Sequence, residues 1–534
     1  MFKELLDAYG RYGSDQASES ALLDLVKRLI PEKVTAQDLN IFLSEDRDEP
    51  DHVAVLWTTS IITTKISEDI RDGAIDTGDE LSSVFLEITD QVSSLMLPIC
   101  SGASPDEDTT NYAALRRKAN SGIKILNKLA NLPLQAPLRF QPSTLLRLAA
   151  FTDSADPWST SSDAARKLLE AQLQQLDDAQ KKSLIGDEIL TKFLRPLFSK
   201  SRPAAITASG RKAEYVEQSR YDNADRETPE TKPWKYAHRY AIAVFAWAVQ
   251  YSDTTLLQSH WPLFTPVLLA LLDESTVTIK IRALAILRTF WARCPPGLMR
   301  NTGLADVFEQ AVFPAVLHLP TLTPEDESLQ ILSAAYPVLI EMAGLNYPSS
   351  DLEAKQPQQI TEDQRKLIDK IVREGVMVGY HHAKEHIRLV GLFCETLVCI
   401  VNGMGIIAVK YLKDFIPMIS EIMTDPFGTK HPPTLVSATQ LLQTILRTCW
   451  PRIPHHCNEI CKILMLCWLN VNNEESFSSE ISTATNLKAE LIKTGQMLSA
   501  VMKTTAKENL SKRVSPLIEK EPQLNELFGD IKAS

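Results

Sequence analysis

Apolar residues recur along most of this chain at intervals of three and four, the spacing that puts them on one face of an α-helix. The clearest instance is the stretch from His260 to Phe290. Trp261 to Leu272 reads as a short apolar helix with Pro266 in its first turns. Asp273, Glu274 and Ser275 then break the pattern. Ile279, Ala283, Ile286, Leu287 and Phe290 resume it, with Lys280, Arg282 and Arg288 turned elsewhere. The prediction is helix, tight acidic turn, helix. Two such helices cannot cover their apolar faces alone, so the pair needs similar neighbours on both sides.

The same periodicity runs through residues 1–199. Leu22, Leu23, Val26, Leu29 and Ile30 share a face. Val53 to Ile70, Leu81 to Leu97, Ala113 to Leu132, Ala164 to Leu176 and Ile185 to Phe198 read as further helices. Breaks fall at Ser101 to Asn111 and Thr152 to Ser162. From Ser199 to Thr231 the chain is rich in Ser, Arg, Asp, Glu and Pro, with few sizeable apolar residues to offset the entropy of ordering. That composition predicts a linker over 200–231, dividing an N-terminal helical domain, 1–199, from a second helical domain, 232–534.

Beyond the linker the prolines serve as a ruler. Lys232-Pro233-Trp234-Lys235 opens a helix, with Pro233 suited to its first turn. Pro266, Pro314 and Pro417 each sit early in the first helix of a pair. Pro266 and Pro314 are 48 residues apart, and Pro314 and Pro417 are 103, two such steps. The intervening pair is Gln364 to Val378 and then His382 to Val401. Thr323-Pro324-Glu325-Asp326 reads as a helix start, with Thr as cap and acids in the first turn. On the helix after Pro417, Leu435, Ala438, Leu442 and Ile445 fall on one face. Near the end, Lys488, Lys493 and Lys503 face out, while Leu491, Met497, Leu498 and Val501 face in. Proline in the first helix, Asp at the turn and a basic residue before small Ala in the second resemble a HEAT repeat. The fold class expected is all-α, an α-solenoid of HEAT/armadillo-like helical repeats.

Composition narrows the function. The 534 residues carry 67 Asp and Glu against 56 Lys and Arg, a net charge of -11. That disfavours nucleic acid or an anionic membrane as the main partner. The longest uninterrupted apolar run, Ala241 to Val249, is far below the ~20 residues that span a bilayer. The eight cysteines lie mostly within apolar helical stretches, where they act as small hydrophobes in a reducing compartment.

Three local patterns could carry chemistry. His382-Ala383-Lys384-Glu385-His386 has the spacing of an inverted zinc-protease motif and would place both imidazoles on one helix face. No third ligand can be assigned, and a polar helix start is the competing reading. Gly403-Met404-Gly405 follows an apolar run, as in a dinucleotide fingerprint. Without βαβ alternation around it, a helix-ending glycine turn fits better. Cys449, His455, His456, Cys457, Cys461 and Cys467 cluster, but without a close Cys-x-x-Cys pair, so core packing is expected over a metal site. No cofactor and no enzymatic activity are called for. Trp234 and Trp450, each beside a proline and a cation (Lys235 and Arg452), are candidate anchors for a partner protein.

Several strings between Lys232 and Leu469, taken in order, resemble one family. They include Lys232-Pro233-Trp234-Lys235, His260-Trp261-Pro262, Thr323-Pro324-Glu325-Asp326, Met404-Gly405-Ile406, Asp414-Phe415-Ile416-Pro417, Thr424-Asp425-Pro426-Phe427 and Cys449-Trp450-Pro451-Arg452. The family is that of the second Tel-two-interacting protein, a subunit type of the Triple-T co-chaperone complex. The resemblance implies a non-catalytic scaffold that binds Tel-two and Tti-one type subunits. With the heat-shock-protein-ninety machinery, that complex promotes maturation and stability of phosphatidylinositol-3-kinase-related kinases, in cytoplasm and nucleus. A transport adaptor of the importin type is the alternative within the same fold class. A zinc hydrolase using His382 and His386 is the alternative outside it.

Overall fold

In the computed structural model, the residues described are 2, 4–6, 9, 34–45, 51–72, 79–100, 110–201, 228–295, 297–347, 360–475, 481–505 and 510–532. Among them all regular structure is helical and no strand occurs. Helices pack pairwise in succession, so the chain is an all-α array of helical repeats, of the α-solenoid class. The face predicted at Leu22 to Ile30 and most of the predicted linker, 202–227, lie outside the described residues.

The chain divides into two compact units. The first comprises Met1–Ala270 and Arg293–Gly303, the second Leu271–Ala292 and Leu304–Ser534. The first contains α1 (Ala36–Ser44), α2 (His52–Arg71), α3 (Asp79–Leu95), α4 (Tyr112–Ala130), α5 (Pro142–Ala149), α6 (Ser162–Leu173) and α7 (Asp178–Ser183). From α7 the chain continues through a π-helix, Leu184–Leu194, into α8 (Arg195–Phe198). The β-branched run Thr58 to Thr64 is helical within α2. Thr59 and Thr64 bond back to their own helix, to the Val55 and Ser60 carbonyls, each at 2.8 Å. After the linker come α9 (Pro233–Tyr236), α10 (Ala241–Tyr251) and α11 (Thr254–Leu272). α11 begins a full two turns before the predicted Trp261. Asp253 caps it, accepting from the Leu256 amide at 2.7 Å, so Pro262 and Pro266 lie inside the helix rather than in its first turn.

These units do not part where the composition changes. Trp234 lies flat on Phe198, with ring centroids 4.9 Å apart and planes 11° from parallel, and its indole N–H donates to Ser201 Oγ at 3.1 Å. α10 packs on α5 and on the π-helix. Helices from 233 to 270 therefore share a core with those before the linker, and the expected division into 1–199 and 232–534 does not follow the packing. A polar stretch shows that the chain has left the core; it does not say which core the chain re-enters.

The second unit contains α12 (Val277–Arg293, as far as Ala292), α13 being the short Leu298–Thr302 helix that belongs to the first. Then come α14 (Leu304–Val312), α15 (Glu325–Met342), α16 (Glu362–Lys370), α17 (Val378–Ala383), α18 (Ile387–Met404), α19 (Leu412–Thr424), α20 (Pro432–Thr448), α21 (Ile453–Glu475), α22 (Ile481–Thr505), α23 (Ser511–Lys520) and α24 (Leu524–Lys532). A second π-helix, Ile371–Met377, joins α16 to α17, and its Gly375 lies against the Tyr336 ring. Short 3-10 turns link α14 to the loop before α15 (Phe313–Leu317), α18 to α19 (Gly405–Tyr411), α19 to α20 (Pro426–Lys430) and α20 to α21 (Trp450–Arg452).

Two layers result. The second helices of successive pairs, α15, α18, α20 and α22, pack side by side, as do α19 and α21 of the other layer. Bonds between neighbours in the second layer give the spacing of the repeat. The Thr434 hydroxyl donates to the Ile387 carbonyl, 47 positions earlier, and Gln443 Nε2 to Glu490 Oε2, 47 positions later. Other bonds in the layer span 42 positions, Ser437 to Glu395, and 51, Gln443 to Thr494, so the cross-layer pairing brackets the 48-residue proline interval. Leu435, Ala438, Leu442 and Ile445 of α20 are all buried as the periodicity predicts, and so are Leu441 and Leu446 on the flanks of the stripe, because α20 has neighbours on two sides. The Thr323 cap is not made. Pro324 takes the cap position and the Thr323 hydroxyl meets His318 instead, while Glu325, Asp326 and Glu327 fill the first turn.

Two Tyr–carboxylate–Lys ties bind α19 to the helix run before it. At one end Asp369 accepts from Lys410 Nζ, 2.6 Å, and from the Tyr411 hydroxyl. At the other Glu421 accepts from Lys384 Nζ, 2.8 Å, and the Tyr380 hydroxyl, 2.9 Å. The Lys384 bond chiefly holds the Glu421 carboxyl below its ordinary range. Partial burial pushes Asp369 up, but its bonds to Lys410 and Tyr411 together outweigh that and leave it lowered.

Two outcomes follow from this packing. Trp234→Ala removes a fully buried indole and should cost about 3–5 kcal/mol in urea unfolding; a surface tryptophan would cost under ~0.5 kcal/mol. The second concerns acid. Both carboxyls titrate lower in the folded chain than unfolded, so their contribution is complete above the unfolded values near 4.5 and 3.8 and declines as pH falls through the folded ones. The loss of melting temperature caused by Glu421→Gln should therefore be larger at neutral pH than in strong acid. A gap that stays constant with pH would show that the tie contributes nothing.

Candidate partner-binding surface

The α15, α18, α20 and α22 helices run parallel, so their ends form two rims. On α18 and α20 the register is direct: Gly391 lies against Thr434, and Glu395 accepts from the Ser437 hydroxyl at 3.2 Å. At the N-terminal rim, Arg388 pairs with Glu325 (3.0 Å) and Asp326 (2.8 Å), and His386 Nδ1 is 2.9 Å from Glu325 Oε2. Acids in the first turn of α15 suit the positive end of a helix dipole.

At the C-terminal rim, α18 ends at Met404 and α20 at Thr448, and each runs into a 3-10 turn, Gly405–Tyr411 and Trp450–Arg452. The 3-10 turn Gly405–Tyr411 packs on α20, and the turn Trp450–Arg452 packs on α22. The two turns thus follow the C-terminal ends of helices that pack on one another. Gly405 makes the chain turn here. Its φ of 58° is one that L side chains rarely adopt, and it ends α18 at Met404. Helix phase then lapses, and Ile406 and Ile407 project outward, 54% and 41% exposed, beside Trp450 at 47%. Below the rim a cleft of ≈ 290 Å³ opens between α18, α20 and α22, lined by Val398, Gln443, Arg447, Lys493 and Met497 among others.

The structure separates the four candidate anchors. Trp450 and Arg452 are exposed on this rim. Trp234 and Lys235 are buried, at 0% and 7% exposure, and cannot serve as surface anchors. A proline and a cation flank both tryptophans, so local sequence does not distinguish them; Phe198, which covers Trp234, lies 36 positions away. Ile406, Ile407 and Arg447 were not singled out by the sequence reading. The available signal was an Ile pair directly after a helix-ending glycine, where a side chain loses its place on the buried face.

Other candidate chemistry falls away in its local geometry. His382 and His386 do not share a helix face. α17 stops at Ala383, Lys384 and Glu385 form a turn, and His386 is the cap residue of α18, its ring engaged with Glu325. Cys449, Cys457, Cys461 and Cys467 are buried thiols. The bond with Cys457 and then burial push Cys461 up, burial pushes Cys467 up to about 12, and burial raises Cys449. Buried thiols raised in this way are poor nucleophiles. Among the described residues no three His, Cys, Asp or Glu side chains gather as a metal site would require. Two helical stretches, Thr254–Leu272 and Ile387–Thr424, are long and apolar enough by composition to cross a bilayer. In each, 56% of the apolar window is buried within the protein, and Gly405 interrupts the second.

Comparison with known proteins places the chain. No curated protein matches it. Among solved structures, importin beta aligns over 98% of this chain and 68% of its own, at 12% identity and a TM-score of 0.36, a likeness too distant to add to the fold described above. The family model that matches is that of the Tti2 family, over residues 144–430. The match begins well before the Lys232 to Leu469 span read from sequence strings and ends before Trp450. It covers more than half of the 534 residues, parts of both compact units included, and the chain accordingly belongs to the Tti2 family.

Proposed function

We propose that this chain is a non-catalytic scaffold subunit of the Triple-T co-chaperone complex, holding Tti-one and Tel-two type subunits. In that complex it supports maturation and stability of phosphatidylinositol-3-kinase-related kinases with the heat-shock-protein-ninety machinery, in cytoplasm and nucleus. Family membership over residues 144–430 is the observation that carries this reading. The physical chemistry is compatible with it. A stacked-helix array offers long parallel faces on which another helical protein can lie, and binding by such a face requires no reactive group. The described nucleophiles that might have argued otherwise are buried thiols, and the one His-x-x-x-His pattern is divided between two helices.

Co-expression tests it. The full chain, tagged and produced with a Tti-one and a Tel-two type subunit, should retain both through affinity purification and size exclusion, as one species. Depleting the chain from cells should lower the steady-state level of the related kinases while their transcripts stay constant. Co-elution with nuclear-transport components in place of those two subunits would overturn the proposal in favour of a transport adaptor.

A further inference from the structure

The rim where α18, α20 and α22 end is opposite in charge to the chain as a whole. Segments 402–413, 444–456 and 496–505 hold Lys410, Lys413, Arg447, Arg452 and Lys503 and not one Asp or Glu, in a chain with net charge -11. Lys410 is committed to Asp369. Arg447 reaches the Thr444 hydroxyl at 3.3 Å, and among the described residues Arg447, Arg452 and Lys503 meet no carboxylate. Cations suit the negative ends of helix dipoles, which explains their sign. It does not explain the apolar side chains between them. Isolated exposed apolar residues are ordinary on a protein surface. Here Ile406, Ile407 and Trp450 stand on the turns that end two packed helices, α18 and α20, and a cleft among α18, α20 and α22 is lined by Arg447, Lys493 and Met497. An exposed tryptophan flanked by arginine, with exposed aliphatic residues on the same rim, has the make-up of the centre of a protein interface.

We infer that this rim docks an acidic amphipathic segment of a partner protein. An aliphatic or aromatic side chain of that segment packs among Ile406, Ile407 and Trp450, and its carboxylates meet Arg447, Arg452 and Lys503. The occupant follows from complementarity: uncommitted cations call for carboxylates, and the apolar group between them calls for a side chain that water does not solvate. Nucleic acid fits less well, because three uncommitted cations are few for a polyanion that the acidic remainder of the chain repels. This inference takes from the scaffold reading only that a protein partner exists; the chemistry of the segment comes from the rim.

The test uses the full chain and a fluorescein-labelled synthetic helix of roughly five turns. The peptide carries leucine and tryptophan on one face and glutamates along its flanks. Three further probes accompany it: the same peptide with every Glu replaced by Gln, the same peptide with its apolar face replaced by Ala, and an oligouridylate. By fluorescence anisotropy the acidic amphipathic peptide should bind best and should weaken with salt. Trp450→Ala and the pair Arg447→Glu with Arg452→Glu should each reduce its affinity about tenfold or more, with the far-ultraviolet circular dichroism unchanged. Ile406→Asp provides a second apolar variant at a position more than half exposed and should act in the same direction. Equal binding by wild type and these variants would overturn the inference. So would equal binding of the Gln peptide, or Trp450-dependent binding of the oligouridylate in place of the peptide. The scaffold reading fails separately: wild-type chain that binds the acidic peptide through this rim but retains neither Triple-T subunit would overturn that reading and support this one.

Discussion

A helix with an apolar stripe along one side is not stable in water until another surface covers the stripe, and helices of this length gain most of their stability from that cover. Every long described helix of the second unit meets the constraint by lying among several others. α20 shows the result. It packs on α18 on one side, on α22 on the other and on α19 behind, and eleven of its residues are buried, including Ser437, Thr439, Gln443 and Thr444. Those polar residues are accommodated because each finds a partner: Ser437 and Gln443 bond across to the neighbouring helices, while Thr439 and Thr444 bond back to their own backbone. Thus a helix whose sequence predicts a single apolar stripe is covered well beyond it.

Parallel stacking has a second consequence. Helices that step forward in register present like ends to the same rim, so their dipoles add along each rim instead of cancelling between neighbours. At the N-terminal rim of the second layer acids fill the first turn of α15, where Glu325 and Asp326 are answered by His386 and Arg388, while the first turns of α18, α20 and α22 carry none. Bases gather at the C-terminal rim, where among the described residues most are not answered by carboxylates. Gly405 ends α18 and sets two isoleucines into the same rim. The sign of the charges on that surface follows from the common direction of the second-layer helices, and its exposed isoleucines from the turn that Gly405 makes.

Much of this architecture was legible in the sequence, for identifiable reasons. Helix identity was legible wherever a stripe ran for three turns or more, as at Leu435, Ala438, Leu442 and Ile445. The interval between pairs was legible because proline recurs at it, although Pro266 lies inside α11, Pro314 in the 3-10 turn after α14 and Pro417 inside α19, not at helix starts. Helix starts were less so. α11 begins at Thr254 because Asp253 caps it, and the prolines that suggested a start at Trp261 are carried inside the helix. The two π-helices, at Leu184–Leu194 and Ile371–Met377, left no mark on the periodicity that was read. Of the four anchor candidates, Trp450 and Arg452 are exposed and Trp234 and Lys235 are core.

What the sequence determined by itself was the class of structure and the length of its repeating unit, because both follow from which residues water rejects and how often they recur. What tertiary structure decided was which of two similar tryptophans is covered, which residues share a rim, and where the chain divides into units. Each of those depends on side chains brought together from distant positions: Phe198 onto Trp234, the turn after α18 onto α20, and helices 233–270 onto the core of α5 and the first π-helix. Hydrophobic periodicity records that a residue needs cover and carries no information about which distant segment supplies it.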